Sequence, residues 1–155
     1  MAKRTVKHAT IILERSFKQS PARVFAAWSD PEARRVWEVP QPDWEAGEES
    51  DDFRVGGCEV SRFGPKGDPR FRAETHYLDI VPELRIVMAG TISESERPIS
   101  CSLASVEFLA DGDGTRLVYA EQGAFLDGRD TPLARHQGWE HNLDQLADYL
   151  EEDAR

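Results

Sequence analysis

The carboxylate of Glu121 is the side chain in this sequence best placed to do chemistry. Strand alternation puts it on the same face of a predicted strand as Leu117 and Tyr119. Desolvation in an apolar wall disfavours the ionised form of a carboxylate, which then needs a cation or hydroxyl partner. Glu121 could therefore serve as a general acid or base, anchor the polar end of a ligand, or pair structurally with Arg135.

Other titratable residues give weaker chemical signals. His136 lies on the apolar stripe of the last predicted helix, where it could bind a ligand or be a satisfied core histidine. Tyr77 lies on one face of a strand whose inward side the sequence leaves open. Cys58 and Cys101 are far apart, without a CxxC motif or a histidine at ligand spacing. We therefore expect no metal site and no cofactor, and no nucleophilic triad is recognisable.

Large apolar side chains recur along the chain and could either wall a ligand pocket or fill a core. Small-molecule sites are mostly apolar with a few polar groups, but aromatic rings also pack well without any void. The residues predicted to bind a ligand are Trp28, Trp37, Trp44, Phe53, Tyr77, Met88, Tyr119, Glu121, Phe125, His136, Trp139 and Leu143.

Length and composition indicate one globular domain over residues 1–155. The chain is 39% hydrophobic and 31% charged, and 155 residues suffice for a single core. No stretch reaches the roughly 18 apolar residues of a membrane span, so we expect no membrane insertion. The net charge of −10 opposes phosphate backbones and argues against nucleic acid as a partner. A secretory signal pattern is missing, which predicts a cytoplasmic protein, and a homodimer stays open.

Capping signals define three helices. Ser20 and Asp30 are each followed by proline and begin two short helices after a first strand over residues 6–17. Thr131, also followed by proline, begins a helix of about 20 residues whose apolar side chains recur at helical spacing. The strand, the two short helices and the long terminal helix thus frame the middle of the chain.

The middle of the chain predicts six strands joined by hairpins. Residues 38–50 have no apolar period and predict a loop. Phe53 and Val60 mark two strands joined across Gly56-Gly57. The other strand patterns cover residues 71–81, 84–92, 100–109 and 115–124. Antiparallel strands with helices on one face give an α+β two-layer fold, and a curved sheet around a helix leaves a groove.

Several motifs, in this order, resemble the SRPBCC (START-like) superfamily. They are Arg15-Ser16-Phe17, Asp30-Pro31-Glu32, Trp37, Asp52 to Gly57, Ile80-Val81-Pro82, Gly114 to Leu117, Glu121 to Gly128 and Gly138-Trp139. The resemblance is to the branch of activator of heat-shock protein 90 ATPase homologue-like proteins. It implies a helix-grip fold, like that of the birch pollen allergen. In that fold a curved antiparallel sheet of about seven strands surrounds a long C-terminal helix, with two short helices after the first strand.

The resemblance also implies an internal cavity for an apolar ligand, although one fold hosts many functions. The function we expect is binding of a small hydrophobic or amphipathic molecule between the sheet and the last helix. One alternative is an enzyme of cyclase or hydrolase type that uses Glu121 as acid or base. Another is a co-chaperone-like protein-interaction module, which would present an exposed apolar patch.

Overall fold

A computed structural model describes residues 4–153 and confirms the predicted α+β helix-grip fold. All strand pairings are antiparallel, and the sheet order is first strand, seventh, sixth, fifth, fourth, third, second. The elements are β1 (Val6–Phe17), α1 (Pro21–Ser29), α2 (Pro31–Trp37), β2 (Trp44–Ser50), β3 (Cys58–Pro65), β4 (Phe71–Val81), β5 (Arg85–Glu94), β6 (Arg97–Asp111), β7 (Gly114–Leu126) and α3 (Pro132–Asp153).

All three helices begin where the capping signals predicted. The side chains of Ser20, Asp30 and Thr131 each accept a hydrogen bond from a backbone N–H two or three residues further on, at 3.3, 3.0 and 3.1 Å. These bonds satisfy N–H groups that have no partner inside the helix. No helix in residues 4–153 is both long and apolar enough to cross a bilayer.

The prediction of a loop over residues 38–50 is wrong for its second half, because Trp44–Ser50 forms β2 at the edge of the sheet. Trp44 and Ala46 are partly buried, while Glu45 and Glu49 between and beyond them are exposed. With only one large apolar residue, this alternation is too weak to stand out in the sequence. A short, charged edge strand also resists pairing with other chains.

The predicted hairpin across Gly56-Gly57 is also wrong. Residues 51–57 form a loop, and β3 begins at Cys58 and pairs with β2 and β4. Gly56 has a φ of 84°, which favours glycine. A Cβ at Gly57 would lie 2.1 Å from the carbonyl oxygen of Asp52, so this backbone is packed too closely for any side chain. The loop is tied to β4 through the backbone of Tyr77.

The two halves of α3 have different surroundings. Leu143, Leu146 and Leu150 in its second half are fully buried in the hydrophobic core. In its first half, residues 134, 135, 137–139, 141 and 142 instead line a cavity above the sheet. The long helix therefore closes the core at one end and leaves space at the other.

Candidate functional site

A cavity of about 650 Å³ lies between the first half of α3, the segment after α2 and the inner faces of strands β2 to β7. It is partly open to solvent. Its apolar wall includes Trp44, Phe63, Phe71, Met88 and Trp139. This volume falls within the roughly 300–1,000 Å³ range of small-molecule pockets, which are likewise mostly apolar.

The structure brings five of the residues predicted to bind a ligand to this cavity. Trp44 comes from the edge strand β2, Met88 from β5, Tyr119 and Glu121 from β7, and Trp139 from α3. Tyr119 and Glu121 share the inner face of β7, as strand alternation predicted.

The other predicted residues lie outside the cavity wall. Trp28, Trp37, Phe125 and Leu143 fill the hydrophobic core. Phe53 packs edge-on against Tyr77, whose hydroxyl takes part in a separate polar cluster. His136 is turned away from the core and pairs with Glu140 on the next turn of α3, with 2.6 Å between Nδ1 and Oε1. His136 thus has the helical spacing of the predicted apolar stripe, but its side chain does not contact the core.

Glu121 is buried, at 2% exposure, and both of its carboxylate oxygens have partners. The Tyr119 hydroxyl donates to Oε1 at 2.7 Å, and Arg135 donates to Oε2. Arg135 also donates to Ser100 Oγ at 2.7 Å and to Asp130 Oδ2 at 2.5 Å. The ion pair with Arg135 is the structural role that the sequence offered as one alternative.

The pKa shifts of this cluster follow from its burial. Burial, reinforced by the Glu121 carboxylate, raises the pKa of Tyr119 well above its ordinary value. Burial works against the charge of Arg135, but Glu121 and Asp130 outweigh it and raise the pKa of the guanidinium. Tyr119 therefore stays a neutral hydrogen-bond donor and Arg135 stays a cation.

Trp139 provides a flat aromatic surface at the cavity wall. Its ring stacks on Tyr119 with centroids 4.2 Å apart and lies parallel to Trp28 at 5.9 Å. Offset stacking of this kind is favourable and holds each ring in one orientation. The indole is thus held in one orientation at the cavity wall, beside the tyrosine that donates to Glu121.

A second polar cluster, centred on Arg34 of α2, is missed by the sequence predictions. Arg34 is only 2% exposed, and Nη1 donates to the carbonyl oxygen of Trp28 at 2.6 Å. Its Nη2 lies 2.6 Å from Asp51 Oδ1 and 3.1 Å from Glu59 Oε2. Glu59 in turn accepts a hydrogen bond from the Tyr77 hydroxyl at 2.7 Å. We use the name Arg34 cluster for the side chains of Arg34, Glu38, Glu48, Asp51, Glu59 and Tyr77.

Carboxylates outnumber cations in the Arg34 cluster. Arg34 Nε lies 3.7 Å from Glu48 Oε1 and 3.9 Å from Glu38 Oε2. Asp51 and Glu59 are the other two acidic neighbours, and the half-exposed Arg35 reaches only Glu48 within the cluster. One signal was available in the sequence: Arg34 precedes Trp37 by three residues and so shares the buried face of its helix.

Three buried polar atoms at the cavity have no hydrogen-bond partner within the described residues: Arg34 Nε, Glu48 Oε2 and Asn142 Oδ1. All three residues line the cavity. Buried polar atoms in folded proteins are nearly always paired, so such exceptions call for a bound molecule or water. The three atoms are themselves closed to solvent, so they lie just behind the cavity surface, and Glu48 Oε2 also lies 3.4 Å from Arg35 Nε.

Glu38 also lines the cavity, and its side chain is 34% exposed. Burial and the neighbouring Glu59 carboxylate raise the pKa of Glu38 to about 8, although Arg34 acts in the opposite direction. Burial likewise raises the pKa of Glu59. At neutral pH the Glu38 carboxyl is thus a neutral group that can donate a hydrogen bond into the cavity.

This shift predicts that the free energy of unfolding falls as the pH rises from about 4.5 to about 8. In that window the folded protein holds a proton on Glu38 that the unfolded chain releases, so the slope is negative. Glu38→Gln keeps the neutral form at every pH. The free energy of unfolding of Glu38→Gln, taken relative to wild type, should therefore rise by on the order of 1–2 kcal/mol from pH 5 to pH 9, after allowing for solvent screening.

Urea denaturation at several pH values measures this difference. Glu32→Gln is the matched control for the chemical change itself, because Glu32 lies on α2, which ends next to Glu38, and has an exposed side chain. A Glu38→Gln difference that stays constant across the window would show that Glu38 titrates as an ordinary carboxylate.

Comparison with known families accords with this geometry. A family model described as "Activator of Hsp90 ATPase homolog 1-like protein" matches residues 18–151, which include α1, α2, the strands of the cavity wall and most of α3. The chain belongs to this family. No match was found among curated proteins.

Solved structures similar to this member of the Activator of Hsp90 ATPase homolog 1-like family share its fold along nearly the whole chain. An uncharacterised protein from Rhizobium leguminosarum is 42% identical with a TM-score of 0.85, covering 97% of this chain and 99% of that one. A Rhizobium loti protein is 45% identical with a TM-score of 0.82, covering 94% and 99%. An AHSA1-like protein from Aeromonas hydrophila is 21% identical with a TM-score of 0.73, covering 94% of each, and shows the fold alone.

Proposed function

We propose that the protein binds a small hydrophobic or amphipathic molecule in the cavity between the sheet and α3. The observation that carries the proposal is a mostly apolar space of about 650 Å³ whose wall includes a few polar side chains. An apolar body would replace water against Trp139 and Met88, and a polar end would pair with Glu38, which lines the cavity with an accessible side chain.

The charges of the wall favour a ligand whose polar end is uncharged or cationic. In the Arg34 cluster, three carboxylates and the neutral carboxyl of Glu38 surround one buried guanidinium. At the other polar part of the cavity, Arg135 is already paired with Glu121 and Asp130. Arg129, which also lines the cavity, is paired with Glu94 at 3.2 Å, so an anionic headgroup would have to displace an existing carboxylate or bury its charge at a large desolvation cost.

Catalysis by Glu121 has less support. A general acid or base must reach the reacting atom, whereas the oxygens of Glu121 are taken by Tyr119 and Arg135. A co-chaperone-like docking role also has less support, because exposed large apolar side chains such as Val36 of α2, Leu84 of the turn before β5 and Leu133 of α3 come from separate parts of the chain.

Displacement of the neutral dye Nile red tests the proposal. We expect the dye to bind with a rise in fluorescence and decanol to displace it at a concentration at least about tenfold lower than decanoate at pH 7. The two competitors share an apolar chain, but only decanoate must bury an unpaired carboxylate.

Each outcome has a definite meaning. Absence of Nile red binding at any protein concentration would contradict a ligand cavity. Equal or stronger displacement by decanoate would contradict the neutral-headgroup assignment and place the polar end at Arg135 instead. Far-ultraviolet circular dichroism in each competitor shows that the fold is intact.

We also propose that the protein acts in the cytoplasm. Cys58 and Cys101 are both free thiols, as is typical of proteins in a reducing compartment. A homodimer stays a prediction.

A further inference from the structure

We propose that Cys58, Glu74 and His76 form a binding site for Zn²⁺ on the face of the sheet that points away from the cavity. Cys58 of β3 lies directly opposite His76 of β4 in the strand register. Glu74 precedes His76 by two residues and so projects from the same face. The intervening Thr75 lines the cavity, which places the three candidate ligands on the outer side.

The three side chains already converge to the spacing of a zinc site. Cys58 Sγ lies 3.9 Å from His76 Nε2 and 4.0 Å from Glu74 Oε1, and Nε2 lies 3.1 Å from Oε1. Zinc bonds of about 2.3 Å to sulfur and about 2.0–2.2 Å to nitrogen and oxygen give tetrahedral edges of roughly 3.4–3.6 Å. Each observed separation differs from its ideal edge by less than about 0.5 Å, which ordinary side-chain rotation can absorb.

The chemistry of the donor set selects the metal. A thiolate, an imidazole and a carboxylate suit Zn²⁺, whereas Mg²⁺ and Ca²⁺ prefer oxygen ligands alone. With Cys58 as thiolate and Glu74 ionised, the ligands neutralise both charges of the ion. His76 is exposed, so water can occupy the fourth position, as in zinc sites with an open coordination position.

Arg72 supports this arrangement from the outside. Its Nη1 donates to Glu74 Oε2 at 3.1 Å, which leaves Oε1 facing His76 and Cys58. Outer partners of this kind orient metal ligands, and their loss commonly weakens metal binding about 10–100-fold. Arg72 is thus a positioning residue for the site.

Linear spacing in the sequence gives no hint of this site, because the ligands come from two strands separated by a turn. The strand register joins them. The site is independent of the proposed ligand cavity, since the two lie on opposite faces of the sheet.

Calorimetric titration of metal-free protein with Zn²⁺ tests the proposal. We expect one ion per chain, release of a proton from the Cys58 thiol, and a dissociation constant raised by more than about 100-fold in Cys58→Ser and in His76→Gln. These losses should exceed the 10–100-fold typical of outer partners. The matched controls are Cys101→Ser on β6 and His8→Gln on β1, both at exposed positions, which should bind zinc like wild type.

Cobalt substitution provides a second readout that does not depend on affinity. Co²⁺ bound by a thiolate gives a sulfur-to-metal charge-transfer absorption, which Cys58→Ser should abolish and Cys101→Ser should keep. Zinc should also raise the melting temperature of wild type but not of Cys58→Ser. The proposal is overturned if no ion binds. It is also overturned if Cys101→Ser or His8→Gln weakens zinc binding, or removes the cobalt absorption, as much as Cys58→Ser does.

Discussion

Arg34→Met is expected to lower the free energy of unfolding by about 3–5 kcal/mol at neutral pH, the typical cost of removing one partner from a buried ion pair. The substitution keeps an unbranched apolar stem but removes the only buried cation among the carboxylates of Glu48, Asp51 and Glu59. It also leaves the carbonyl oxygen of Trp28 without the guanidinium donor. Equilibrium urea denaturation measures the loss.

The neighbouring Arg35→Met is the matched control for this effect. Arg35 lies on the same helix but its side chain is 47% exposed, so its loss should cost no more than about 1 kcal/mol. Lowering the pH should also reduce the difference in unfolding free energy between Arg34→Met and wild type. The reason is that the unpaired carboxylates take up protons more readily in the folded variant than in the unfolded chain. Equal costs for the two substitutions would contradict the assigned role of Arg34.

Ser102→Trp is expected to weaken Nile red binding by more than about 100-fold, which corresponds to roughly 2.7 kcal/mol. Ser102 lies on the inner face of β6 and lines the cavity. An indole at this position would fill the space that the ligand occupies, and the surrounding close-packed wall cannot expand to make room. Fluorescence titration of the variant measures the loss.

Leu103→Trp places the same indole one residue further along the strand, on the exposed outer face. It should bind Nile red like wild type, so that any general effect of a new tryptophan in β6 is removed from the comparison. Equal weakening in both variants would show that the dye does not bind where we place it.

Much of the fold follows from local signals in the sequence. Three cap-and-proline pairs, at Ser20, Asp30 and Thr131, set the helix starts because capping depends on neighbouring residues alone. The edge strand β2 and the loop at Gly56-Gly57 are different. Their conformations depend on pairing with β3 and on the backbone of Tyr77, which are distant in sequence.

The candidate site likewise has a part that local sequence patterns predict and a part that depends on distant contacts. Strand alternation places Tyr119 and Glu121 together because both belong to one strand. The Arg34 cluster draws its acidic side chains from the residue after α2, from β2 and β3, and from the loop between those strands, so no local pattern predicts it. The same holds for the separation of α3 into a half that fills the core and a half that walls the cavity, since one continuous helical pattern covers both.

Native mass spectrometry detects directly whether a small molecule occupies the cavity under the first half of α3. Wild type, Ser102→Trp and Leu103→Trp would be incubated with the same mixture of uncharged amphipathic small molecules. We expect a non-covalent adduct of one small molecule per chain for wild type and Leu103→Trp, and bare protein for Ser102→Trp. An adduct of equal abundance on Ser102→Trp, or no adduct on any of the three, would contradict this expectation.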